Sequence, residues 1–337
     1  MKKIESFNEL RAISAAIVVF SHIGCTNKLL GGNPGGFSVC IFFLLSGFLT
    51  VFSTMDKNKK FFLIKRYLKI APLYYAMTIF CFVVAVLKPS LFNTTEPSAL
   101  NLIRSILFIP YINKNGISRP ILDVGWYVNV LFFFYVIFKI AMLISHKYRA
   151  LLSTITLVSI CTVGEIFFTN NPIFVLYRNG LFCISAGMVI ASIYVSLKQK
   201  ENFINKKSVV FNFIMYALYL FTIVFLWTMK LNVYLKLLIP VLFFVLVLCF
   251  DNVFVSTKIN RFISMISMSL YLTHEIVVKG VSRLIYNLDN LNIASFLVGM
   301  MCFCVAIAVA TPVYILFEKK MSGFLISKLS GDKKWLR

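Results

Sequence analysis

The chain has 337 residues, of which 60% are hydrophobic and only 14% charged, and its mean hydropathy is +0.87. Soluble domains carry about 45–50% apolar and about 25% charged residues, so a water-soluble globular fold is excluded. A formal net charge of +22 would suit a nucleic-acid binder, but the Lys and Arg sit in short clusters between apolar runs. That is the pattern of membrane topology signals, and no nucleic-acid partner is expected.

Apolar runs of about 17–25 residues, each long enough to cross a hydrocarbon core of about 30 Å, recur along the chain. They fall at about 10–27, 37–55, 71–88, 125–144, 151–168, 174–197, 208–228, 233–250, 261–280 and 293–317. The expected fold is all-α, a polytopic transmembrane bundle of about ten helices forming a single domain over 1–337. The first run opens with Arg11 and Ser14, lacks an A-x-A site and carries a histidine. It is therefore expected to be a retained helix and not a cleaved signal peptide.

Within that first run Arg11 and His22 are eleven residues apart, and eleven steps of about 100° return to within about 20° of one helical face. Ionisable residues inside a span are costly and mark functional sites by default, although Arg11 can also serve as an interfacial anchor and His22 as a structural hydrogen-bonding group. Pro34 with Gly31, Gly32, Gly35 and Gly36 marks the first loop. Ser46 and Gly47 in the second run put a hydroxyl and a small residue among large apolar side chains, which suits close helix packing or a substrate path. Next come Lys65, Arg66 and Lys69, with Arg66 and Lys69 at i and i+3 on one face of a helix leading into the third run. Such a cluster can grip phosphates, or it can be topogenic only.

The polar stretch 89–124 contains a moderately apolar piece at 101–112, read as a short re-entrant or interfacial helix. His146 lies in a basic loop and is expected to be solvated. In the ninth run Ser267, Tyr271 and His274 form a polar stripe at i, i+4 and i+7, beside Thr273 and Glu275. His274 is a candidate to bind an acceptor or to pair with Glu275. With the N-terminus inside, the cytoplasmic segments hold 24 of the 34 Lys and Arg, so both termini are expected to be cytoplasmic. The eight cysteines show no metal-ligand spacing, so no metal is expected, and a Cys25–Cys40 disulfide has only a shared membrane face in its favour. No internal repeat of the transporter kind is visible.

Taken in order, these residues resemble the membrane-bound acyltransferase family 3 over about residues 5–320. Its Arg, ten residues, then His corresponds to Arg11 and His22, its Phe-Phe-x-x-Ser-Gly-Phe to Phe42–Phe48, and its R-x-x-R-I-x-P to Arg66–Pro72 with Lys69 replacing the second Arg. Its S-x-Y-L-x-H stretch corresponds to Ser269–His274, and its closing Glu segment to Phe317-Glu318-Lys319. Gly125-Trp126, Asn129 and Phe133-Phe134-Tyr135 look most like the exopolysaccharide-type branch, except that Leu131 stands where that branch usually keeps Glu.

The resemblance implies a bacterial inner-membrane enzyme that moves an acyl group, commonly acetyl, from acetyl-CoA to a hydroxyl of a surface glycan, such as an O-antigen or exopolysaccharide, or of its lipid-linked precursor. It implies His22 as general base or acyl carrier and Arg11 as donor contact or charge stabiliser. Arg66, Lys69 and Lys65 are implied as CoA-phosphate ligands, and Ser46, Trp126, Asn129, Tyr271 and His274 as candidates for the substrate path. Expected partners are the glycan or lipid-linked sugar, the bilayer and polysaccharide-assembly proteins. Many relatives append an extracytoplasmic hydrolase-like domain. About 20 residues follow the last run, so none is expected here. Two alternatives stay open: a flippase or transporter of glycan precursors, in which intramembrane histidines relay protons, and an inactive relative acting as a membrane partner.

Overall fold

A computed structural model describes residues 4–23, 34–55, 61–91, 95–198, 208–228, 232–284 and 293–330. Each of the ten expected runs is a helix. They are α1 (Ser6–Ser21), α2 (Pro34–Ser53), α3 (Phe62–Leu87), then, after a short α4 (Ala99–Ile106), α5 (Trp126–Ile144), α6 (Arg149–Phe167), α7 (Pro172–Lys198), α8 (Val209–Thr228), α9 (Val233–Cys249), α10 (Lys258–Leu284) and α11 (Ile293–Val313). The chain runs on from α11 through a π-helical stretch, Tyr314–Met321, into α12 (Ser322–Ser330). The fold is an all-α, polytopic helix bundle. Among the described residues seven helices are long and apolar enough to span a membrane.

Those seven do not include α1, α9 and α10. Helix α9 has only 17 residues and α1 only 16. Helix α10 is long but carries Lys258, Arg261, Glu275, Lys279 and Arg283. The two polar helices solve the problem by packing on each other, in the most extensive helix pairing among the described residues. They run parallel. Ser264 Oγ donates to Asn8 Oδ1 (3.4 Å) near their first turns, and His22 meets His274 near the far ends. Most of α1 is buried, including Ser6, Glu9 and Ser14, so its polar groups face protein and not lipid.

Helix α2 begins three residues before its expected start, because proline in a first turn loses no helical hydrogen bond. Helix α3 starts at Phe62, nine residues early, so Lys65, Arg66 and Lys69 lie on its first two turns. The piece expected at 101–112 is α4, capped by Ser98 Oγ accepting from Asn101 N (3.1 Å), followed by an antiparallel hairpin of β1 (Tyr111–Ile112) and β2 (Ser118–Arg119). Asn113 Oδ1 accepts from Asn115 N and Ile117 N (both 3.0 Å), and Gly116 supplies the positive φ of 73° that closes the turn. Burial, with the Glu96 and Asp123 carboxylates nearby, pushes the Tyr111 phenol above its ordinary pKa.

The chain forms two compact units, one of Met1–Phe52 with Ala186–Val309 and the other of Ser53–Ser185 with Ala310–Arg337. Within the first, a Cβ added to Gly187 of α7 would stand 2.2 Å from the Leu44 carbonyl oxygen of α2. That glycine lets the two backbones approach. Within the second, the π-helical stretch and α12 both pack on α3. Cys25 lies outside the described residues, and so does the pairing considered for it with Cys40.

Candidate active site

In the first unit the parallel run of α1 and α10 delivers two histidines to one point. His22 is the residue at which α1 ends, and its ring is exposed; His274 is fully buried. His274 Nε2 lies 3.3 Å from His22 Nδ1, with ring centroids 4.7 Å apart and planes at 75°. Each Nδ1 also meets a carbonyl of its own helix, His22 at Val18 O (2.9 Å) and His274 at Tyr271 O (2.6 Å). A carbonyl can only accept, so in both neutral rings the proton sits on Nδ1 and the lone pair on Nε2. The His22 Nδ1 proton is then shared between Val18 O, the shorter arm, and the His274 Nε2 lone pair, and His22 Nε2 is left as the free base. Ser21 Oγ, 3.2 Å from His22 Nδ1, spends its own proton on Val18 O (2.7 Å).

Tyr271, a candidate for the acceptor path, is 6% exposed and joins this cluster through its carbonyl and through its ring, 5.8 Å from that of His274. Glu275, considered as a partner for His274, pairs instead with Lys279 Nζ at 2.5 Å. One turn of helix separates those two residues, whereas His274 points a third of a turn away. Arg11 lies half-buried towards the other end of α1, and Ser46 Oγ donates to Phe42 O of its own helix (2.8 Å).

The remaining candidates belong to the second unit. Arg66 is half-buried, donates from Nη2 to Ser53 Oγ (3.4 Å) and lies over the rings of Tyr135 (5.4 Å) and Phe62 (5.7 Å). This aromatic seating suits a planar guanidinium. Lys69 is exposed and Lys65 half-buried. Trp126, half-buried, has Arg119 over its ring at 5.9 Å, and Arg119 pairs with Asp123 at 2.9 Å. Asn129 is fully buried. Its Oδ1 accepts from Tyr74 OH (3.2 Å), while its Nδ2 has no protein partner. Leu131, where the exopolysaccharide-type pattern has Glu, is 3% exposed, a site that suits an apolar side chain better than an unpaired carboxylate.

The family model described as an acyltransferase domain, acyltransferase family 3, matches residues 4–314. The chain belongs to that family. No curated protein and no solved structure matches it. It is thus a membrane acyltransferase, and the matched stretch contains every candidate residue named above.

Three charged groups of this acyltransferase, Glu9 and Arg149 buried and Asp251 half-buried, were not picked out from the sequence. Glu9 is 1% exposed; its Oε2 accepts from Tyr216 OH and Asn260 Nδ2, and its Oε1 has no protein partner. Glu9 lines a small cavity with Leu10, Ile13, Tyr216, Tyr219 and Phe254. A carboxylate two residues before Arg11, and Asn212 with Tyr216 at i and i+4 in an apolar run, were signals available to find it. Asp251 Oδ1 accepts from Ser6 N (3.1 Å) and Ser6 Oγ (2.7 Å), placing a carboxylate on the N-terminus of α1, where the helix dipole favours it. Arg149 is buried, donating from Nε to Thr54 Oγ1 (3.1 Å), from Nη2 to Thr54 O (2.7 Å) and from Nη1 to His146 O. His146, expected in solvent, has a buried Nε2 with no protein partner, because Arg149 draws its loop inward. Among the described residues no three His, Cys, Asp or Glu side chains are grouped as a metal site requires.

Proposed function

We propose that this acyltransferase moves an acyl group, acetyl in the simplest case, from acetyl-CoA to a hydroxyl of a bacterial surface glycan or its lipid-linked precursor, as the exopolysaccharide-type sequence pattern suggests. The observation that carries the reading is His22: an exposed imidazole whose Nδ1 proton is fixed, leaving Nε2 free to accept a proton. In the reaction His22 Nε2 takes the acceptor hydroxyl proton as that oxygen attacks the thioester carbonyl. The C–S bond then breaks, and the CoA thiolate leaves and is protonated. Arg11 contacts the donor or stabilises the developing oxyanion, and Arg66, Lys69 and Lys65 hold the CoA phosphates. Trp126, Asn129, Tyr271, His274 and Ser46 are the candidates for lining the acceptor path.

The test is transfer by purified full-length protein in detergent, supplied with radiolabelled acetyl-CoA and a polysaccharide acceptor. His22→Ala is expected to lower kcat by about 100-fold or more while the protein still accumulates in the membrane. Arg66→Ala is expected to raise the KM for acetyl-CoA by about 10-fold, the scale of one charge-assisted hydrogen bond. Unchanged transfer by His22→Ala defeats the catalytic role, and an unchanged KM makes the cation cluster topogenic only. Uptake of precursor into vesicles without product replaces the enzyme by a transporter. Neither uptake nor product makes it an inactive membrane partner, the outcome that Leu131 favours.

A further inference from the structure

The hydrogen bonds of the two histidine rings leave their neighbourhood with an unusual property. Among the described residues no carboxylate bonds to either ring, since Glu275 on α10 is turned to Lys279 and Glu9 on α1 to Tyr216 and Asn260. Histidine bases are usually oriented by an acid behind them. Here that place is held by a second imidazole, buried, whose own Nδ1 proton is committed to Tyr271 O.

We propose that His274 is the positioning residue of the His22 base: its neutral Nε2 accepts from His22 Nδ1–H and so holds His22 with its Nε2 lone pair outward. This rests on the reading of His22 as the base. The arrangement forms a chain in one direction: His22 Nδ1–H is shared between Val18 O (2.9 Å) and His274 Nε2 (3.3 Å), and His274 Nδ1–H goes to Tyr271 O. When His22 Nε2 takes the proton of the acceptor hydroxyl, the imidazolium so formed finds a lone pair already aimed at its Nδ1–H. No groups need reorient at that moment, which is the condition for electrostatic preorganisation. A neutral partner also avoids placing an uncompensated carboxylate in the bundle, where its burial would be costly.

Two measurements on the full-length protein test this. The first is nitrogen NMR of histidine-labelled protein in lipid nanodiscs, which is tractable because the chain has only three histidines. Signals are assigned with His146→Asn and His274→Phe. At neutral pH both active-site rings are expected to carry their proton on Nδ1, with a coupling across the His22 Nδ1–H to His274 Nε2 bond. A proton on His22 Nε2, or no coupling, overturns the proposal.

The second is a double-mutant cycle on acyl transfer. His274→Phe fills the same space without an acceptor atom and is expected to lower kcat about 100-fold, with the acetyl-CoA KM within about 3-fold of wild type. His274→Gln, which can offer Oε1 at the same place, should recover part of that loss. In a His22→Ala background His274→Phe should change little, since groups that act as one unit are not additive. Full additivity would overturn the proposal by making His274 an independent or merely structural group. Absence of transfer by the wild type would count against the proposed function, and the NMR coupling would then decide the histidine pair on its own.

Discussion

Arg149 is buried and answered by oxygen dipoles: the Thr54 carbonyl and hydroxyl and the His146 carbonyl. The Thr54 carbonyl lies just past the C-terminus of α2, where orphan carbonyls and the negative end of the helix dipole favour a cation. Arg149→Met would take a donor from all three oxygens at once. It should destabilise the protein by about 1–3 kcal/mol, read as a lower thermal midpoint in detergent. Arg149→Lys should recover only part of this, because an ammonium cannot span both residues as a planar fork does. A wild-type midpoint for Arg149→Met would show that the clamp is idle. From sequence this arginine looked like one more topology signal, and nothing in its local spacing separates a buried clamp from a solvated cation.

At the scale of elements, the bundle was legible because lipid leaves one economical solution for a long apolar run, and all ten runs became helices. The ends were less legible. Helix α3 extends nine residues past its apolar stretch into a basic segment with good helix propensity, and the hairpin after α4 depends on Asn113 and Gly116, whose turn chemistry lies hidden in a long polar stretch. The histidine pair was half legible. Periodicity placed Arg11 and His22 on one face and drew the stripe holding Tyr271 and His274, but only a parallel packing of α1 on α10 brings the two histidines together, and pairing of elements 250 residues apart is not written in local spacing. The approach of α7 to α2 was equally hidden. Gly187→Ala puts a methyl 2.2 Å from a backbone oxygen that no rotamer change can move. We expect the two helices to be forced apart, with a loss of about 1–3 kcal/mol seen as a lower thermal midpoint or poorer accumulation in the membrane. Wild-type stability in this variant would mean that the interface gives way more easily than a backbone contact should.

At the scale of the whole molecule, each unit fixes a face of its own. In the first, Asn212 at the start of α8 exchanges hydrogen bonds with Val255 beyond α9, and Ser6 at the start of α1 bonds to Asp251. The N-terminal ends of α1, α8 and α10 and the C-terminal end of α9 therefore lie at one level. In the second, Arg149 ties the start of α6 to Thr54, with α3 and α5 between them, so an even number of crossings separates the two. The stretches of sequence next to these helix ends, 198–207 and 251–261 for the first unit and 56–70 and 139–149 for the second, include most of the basic residues between the helices. From the positive-inside rule we expect the basic level of each unit to face the cytoplasm, with His22 and His274 towards the opposite end of the first unit. An alkaline phosphatase fused after Asn170, beyond α6, should be active, whereas fusions after Lys147 and after Arg337 should be inactive and fluoresce as GFP fusions. An active phosphatase after Lys147 would invert the whole assignment. It would move the histidine pair to the cytoplasmic half and the Arg66 cluster away from the side on which CoA is made.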